Sequence, residues 1–198
     1  MYHKRIIFIL FFITIHSLVV YLVHLNGKTF YNDNNNNNSS NKLKIFDISH
    51  KYLPNLSSND SIILVNDLIA LLTPFIFGKE VFLEFIKYYP ICLIIRCLMN
   101  YVTILPKNKH CVDSEFKIKN LVKGHCYDKI FSGHFTITLL VALIIYNNKV
   151  ITNKTCILSF LLLHIFFILS TRSHYTIDVL VAFFVVTWVY NLNLKIDF

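Results

Sequence analysis

The sequence predicts an all-α polytopic membrane protein, a bundle of six transmembrane helices, and three observations carry that reading. Apolar residues make up 55% of the 198-residue chain and charged residues only 15%. Mean hydropathy is +0.55, too high for a water-soluble domain of this length. The apolar residues also arrive in blocks approaching roughly 20 residues, the length that crosses ~30 Å of hydrocarbon at about 1.5 Å rise per residue.

The first helix is expected over Ile6–Leu25, after Lys4 and Arg5. It is too long for the apolar core of a secretory signal, and His24-Leu25-Asn26 lacks the small residues of a cleavage site, so it reads as retained. Asn26 to Asp60 reads as an Asn-rich polar loop; its run Asn34–Asn38 has too few apolar groups to offset chain entropy. The second helix, Ile62–Phe77, and the third, Val81–Leu105, are joined only by Gly78-Lys79-Glu80 and are expected to form an antiparallel transmembrane hairpin. A loop from Pro106 to Lys129, with six lysines, precedes a fourth helix over Ile130–Tyr146. The fifth covers Cys156–Ser170, and after Thr171-Arg172-Ser173 the sixth runs from His174 to Leu192. In domain terms, 1–25 is the N-terminus with the first helix, 26–60 the polar loop, 61–192 a five-helix catalytic core and 193–198 the tail.

A net charge of +8 in a soluble chain would suggest nucleic acid. Here the lysines are spread over loops without aromatic interleaving, so lipid headgroups are the expected contact and no nucleic-acid partner is implied. The five cysteines, at 92, 97, 111, 126 and 156, show no metal-ligand spacing. Cys111 and Cys126 share one loop and can either bridge in an oxidising lumen or remain free thiols.

Alternating crossings bring the start of helix two, the end of helix three and the starts of helices four and six to one membrane face. Lys4 and Arg5 favour a cytosolic N-terminus. The count opposes them: Lys4, Arg5, Lys79, Lys149, Lys154 and Lys195 lie on the N-terminal face. Lys28, Lys42, Lys44, Lys51, the third loop's six lysines and Arg172 lie on the convergent face.

Ionisable side chains inside apolar blocks cost roughly 2.5 kcal/mol or more to insert, so each is a functional candidate. His174 and Asp178, at i and i+4, are expected on one face, where a carboxylate accepting the Nδ1 proton fixes the tautomer that leaves Nε2 free to attack. His134 follows Ser132-Gly133 at a helix head, where glycine permits close backbone approach and the helix N-terminus favours an anion. Arg96 and Arg172 each offer a guanidinium suited to bidentate phosphate binding. Two histidines, an orienting carboxylate and arginines suit double-displacement phosphoryl transfer: one imidazole attacks phosphorus while the other protonates the departing alcohol. That scheme requires no metal or other cofactor. His16, His24 and His164 read as buried hydrogen-bonding groups, Glu80, Glu84 and Lys87 as residues around a helix start. Asp67, within helix two, has no explanation in the sequence.

Arg96-Cys-Leu-Met-Asn-Tyr-Val-Thr-Ile-Leu-Pro106, Cys126-Tyr-Asp-Lys-Ile-Phe-Ser-Gly-His134 and His174-Tyr-Thr-Ile-Asp178 together resemble the sphingomyelin synthase family, within the wider lipid phosphatase/phosphotransferase group. Tyr52-Leu-Pro-Asn55 is similar to that family's first motif, with Asn55 in place of the usual aspartate. Asp128 fills the acidic position of the family's Cys-Gly-Asp element, while Tyr127 replaces its glycine. The resemblance implies His174 as nucleophile, Asp178 as its orienting partner and His134 as acid toward a diacylglycerol leaving group. Arg96, Arg172, Asp128, Ser132 and Gly133 are then expected around the phosphate. The substrates implied are ceramide and a glycerophospholipid, with phosphocholine as the headgroup moved. Phosphoethanolamine and phosphoinositol transferases share the motifs. The family's site faces the lumen or exterior, of Golgi, ER or plasma membrane, and the chain alone leaves homo-oligomerisation open. Two rivals stand beside this reading. A lipid phosphate phosphatase would use water in place of ceramide, but its Lys-x6-Arg-Pro pattern is absent. A non-catalytic ceramide sensor would keep the fold without turnover.

Overall fold

The structure is a computed structural model that describes residues 14, 17–18, 21–29, 45–105 and 130–194. Among these, seven helical stretches and no strand are present: residues 21–29 (α1), Ile48–Tyr52 (α2), Asp60–Ile76 (α3), Lys79–Val102 (α4), Gly133–Asn147 (α5), Lys154–Ser170 (α6) and Thr176–Tyr190 (α7). The all-helical class predicted from the apolar blocks is therefore observed. Cys111 and Cys126, for which the sequence leaves a bridge and free thiols both open, and Asp128 lie outside the described residues.

The chain divides into two compact units. The first takes in residues 1–46 and 94–130. Here the Asn26 side-chain amide donates to the Tyr101 carbonyl at 3.0 Å, and Val23, His24, Arg96 and Asn100 are buried.

The second unit comprises residues 47–93 and 131–197 and holds α2, α3, α5, α6 and α7. Four of its helices begin on a polar N-cap whose side chain accepts an otherwise orphaned N–H. Asp47 accepts from His50 at the head of α2, Asn59 from Ile62 at α3, Ser132 from Phe135 at α5 and Asn153 from Cys156 at α6. α5 is the central element, packed against α3, α6 and α7. It is apolar around most of its circumference, and Leu140, Val141 and Ile144 are fully buried, as expected of a helix enclosed by others. The outer helices present apolar side chains outward: Leu158, Leu162 and Leu163 on α6, Leu180, Phe184 and Trp188 on α7.

The hairpin expected of the second and third apolar blocks is corrected. α3 and α4 meet at a bend of 115° instead of folding back on one another. Only Phe77 and Gly78 separate them, with Gly78 at φ +92°. A short link sets proximity, and the left-handed backbone at Gly78 sets the direction in which the chain leaves it. The sixth helix also begins later than expected, at Thr176. His174 thus precedes the helix in irregular backbone. No single described helix is long and apolar enough to cross a membrane alone, although α3 and α4 taken together are by length and composition.

Candidate active site

The heads of α5 and α7 are tied together by backbone. Ser132, the N-cap of α5, donates its N–H to the Asp178 carbonyl at 3.2 Å, while its hydroxyl accepts from Phe135 N–H at 3.3 Å. Ser132 is fully buried, so its oxygen serves the helix end. Gly133 and His134 open the first turn behind it.

Asp178 occupies the third position of α7. Its Oδ2 reaches back to accept from Tyr175 N–H at 2.8 Å, which satisfies a helix-start amide. The same oxygen lies 3.4 Å from Nδ1 of His174, a long contact by hydrogen-bond standards. His174 is buried, and Asp178 fully so.

The two imidazoles face one another, with ring centroids 6.3 Å apart and planes inclined by 62°. Across from His174, Nε2 of His134 stands 2.9 Å from Oδ1 of Asp67 in α3, both side chains about one-fifth exposed. Each histidine therefore has its own carboxylate. Asp67 was the unexplained residue of the second apolar block; its partner comes from a different helix, and no sequence spacing announces such a pairing.

Residues 125–195 match the family described as PAP2 superfamily C-terminal. A phosphatidylinositol:ceramide inositolphosphotransferase from Trypanosoma cruzi (strain CL Brener) is 29% identical over 119 residues, which cover 52% of this chain and 36% of that protein. This chain thus spans about a third of the length of the curated relative it matches. The C-terminal segment is similar to the lipid phosphatase/phosphotransferase superfamily. Within the matched segment lie Ser132, Gly133, His134, Arg172, His174 and Asp178. Asp67 and the Asp47–Leu53 stretch precede it.

Of the expected arginines, Arg96 is buried within the first unit. Arg172, at φ 57°, turns its guanidinium onto backbone carbonyls, donating to His50 at 2.8 Å and Leu53 at 2.9 Å, with longer approaches to Ser49 and Leu169. In this structure Arg172 is the anchor of the segment before α3. Burial lowers its guanidinium somewhat from the ordinary value, which for arginine leaves it charged.

That anchored segment, around the five-residue α2, lies inside what the sequence reads as a plain polar loop. Asp47 caps α2 by accepting from His50 N–H at 3.0 Å and also accepts from Thr176 N–H at 2.7 Å and from its hydroxyl at 2.9 Å. Burial raises the Asp47 carboxyl, but the hydrogen bonds from Thr176 and His50 outweigh it and hold the group below the usual carboxylate range. The one available signal was Asp-x-x-His at 47–50, a short N-cap pattern too brief for periodicity to reveal.

Proposed function

We propose that this protein is a membrane-embedded phosphotransferase that moves a phospho-headgroup from a glycerophospholipid to ceramide through a phosphohistidine. The observation that carries the reading is the pair of imidazoles 6.3 Å apart, each against its own carboxylate. His174 Nε2 attacks the donor's phosphorus as the bond to the diacylglycerol oxygen breaks. His134, held by Asp67, delivers its proton to that oxygen. The ceramide hydroxyl then attacks the phosphohistidine and returns its proton to His134. Asp178 holds Nδ1 of His174 and balances the imidazolium that forms.

Embedding in a bilayer is supported by the apolar outer faces of α6 and α7 and by six apolar blocks in the sequence. In this topology the catalytic face is lumenal or exoplasmic. Phosphocholine is the headgroup favoured by the Arg96 and His174–Asp178 motifs; phosphoinositol is the second reading, favoured by the name of the trypanosomal relative.

The test is purified protein in liposomes with fluorescent ceramide and phosphatidylcholine, phosphatidylinositol or phosphatidylethanolamine as the donor in turn. A new phosphosphingolipid from one donor identifies the headgroup. Release of free phosphate from phosphatidate, with no transfer to ceramide, would replace the transferase by a phosphatase, and neither product would sink the catalytic reading.

A further inference from the structure

His174 stands in irregular backbone, and the Asp47–Leu53 segment grips the chain on both sides of it. His50 Nε2 lies 3.0 Å from the His174 carbonyl oxygen, and the His50 ring sits 5.1 Å from the ring of Tyr175. On the helix side, Asp178 Oδ2 accepts from Tyr175 N–H at the head of α7. Asp47 reinforces that helix start from outside the helix, accepting from both the N–H and the hydroxyl of Thr176. Ser49 Oγ lies 2.6 Å from the same hydroxyl oxygen. Arg172 holds the strap down from the other side through the carbonyls of His50 and Leu53. None of these groups bonds the His174 ring in the contacts just described; they fix its main chain.

We infer that Asp47 and His50 are positioning residues for His174, holding its backbone so that Nδ1 stays against Asp178 and Nε2 meets the lipid phosphorus from one direction. This inference rests on His174 being the nucleophile proposed above. The need for such a strap is geometric. Asp178 Oδ2 serves Tyr175 N–H at 2.8 Å and reaches Nδ1 only at 3.4 Å, so a small shift of residues 173–175 breaks the imidazole contact. A displacement of about 1 Å at a reacting group costs on the order of 10²-fold in rate.

Two His50 variants separate positioning from folding. His50→Phe keeps a ring beside Tyr175 and removes the hydrogen bond to the His174 carbonyl. His50→Gln keeps a donor at a similar reach. In the liposome assay His50→Phe is expected to lower kcat by about tenfold with KM within about twofold, and His50→Gln to stay within about threefold of the parent. Equal kcat for His50→Phe and the parent, or an equal fall in both variants, would overturn the inference. A second measurement needs no turnover: imidazole 15N resonances of labelled full-length protein, with His174 assigned by its loss in His174→Asn. The parent and His50→Gln are expected to show a single Nδ1–H tautomer, and His50→Phe a mixture of both. Identical spectra for parent and His50→Phe would also refute the positioning role. If the parent transfers nothing from any donor yet the tautomer responds as stated, the functional reading fails while the strap stands.

Discussion

Oδ1 of Asp67 on α3 lies 2.9 Å from Nε2 of His134 on α5, so the acid–base histidine of the proposed reaction is oriented by a carboxylate from another helix. A carboxylate at that distance fixes the orientation of the ring that hands a proton to the leaving oxygen. Asp67→Asn keeps a hydrogen-bonding group and removes the charge. It is expected to lower kcat on the order of 10²-fold, the low end of general acid catalysis, while the melting temperature stays close to the parent's. Turnover within about threefold of the parent would remove Asp67 from the site.

The two histidines are distinguishable by leaving group. His174→Ala should lose activity on the order of 10⁴-fold with every donor, because no other group forms the phosphorus–nitrogen bond. Asp178→Asn should cost less, since the nucleophile remains. His134→Ala should fail with natural lipids but recover with p-nitrophenyl phosphocholine, whose phenolate departs without a proton. Equal recovery of His174→Ala with that donor would reverse the assignment.

The Asp47–His50 pair predicts two acid limbs in stability. The Asp47 carboxyl is held below its ordinary value in the fold, and the ordinary value is about 3.9. Its contribution is therefore complete above that pH and is lost as pH falls through the folded value. His50 is lowered chiefly by burial, against the His174 carbonyl bond and the nearby Asp47 and Asp178, with the Arg172 charge adding to the lowering. The unfolded chain then binds that proton more tightly, so stability declines as pH drops below about 6.5 and levels off beneath the folded value. Melting curves against pH should lose the upper limb in His50→Gln and the lower one in Asp47→Asn. A parent curve flat from pH 7 to 5 would contradict the His50 assignment.

The helices were legible because hydropathy is a local property. Each apolar block from Ile62 onward overlaps a helix, and polar residues such as Asn59, Ser132 and Asn153 mark where helices begin. His134, His174 and Asp178 stood out for the same reason, as ionisable groups in apolar sequence. Pairings between elements were not legible. Asp67 was visible as an anomaly without a partner, and Asp47 and His50 were hidden in a polar stretch whose short helix has no apolar period. The α3–α4 corner was misread because a short link signals proximity, whereas its angle depends on the left-handed turn at Gly78.

Arg172 separates two physical roles that the same sequence allowed. A phosphate clamp would make Arg172→Lys raise KM for the donor with little change in melting temperature, since a lysine still offers a point charge. The structure instead directs the guanidinium to the carbonyls of His50 and Leu53, two acceptors that one planar fork reaches together and an ammonium does not. Charge-assisted bonds of this kind contribute about 1.5–3 kcal/mol each, so Arg172→Lys should lower the melting temperature by several degrees, roughly 2–4 °C for each kcal/mol lost. Its φ of 57° adds a contrast: Arg172→Gly relieves left-handed strain of about 1–2 kcal/mol yet forfeits the same bonds. Glycine should therefore be less destabilising than a residue that loses the bonds and keeps the strain, such as Arg172→Val. Thermal melts of the three variants, with KM measured beside them, decide between the roles. A raised KM with unchanged melting temperature in Arg172→Lys would return Arg172 to the phosphate.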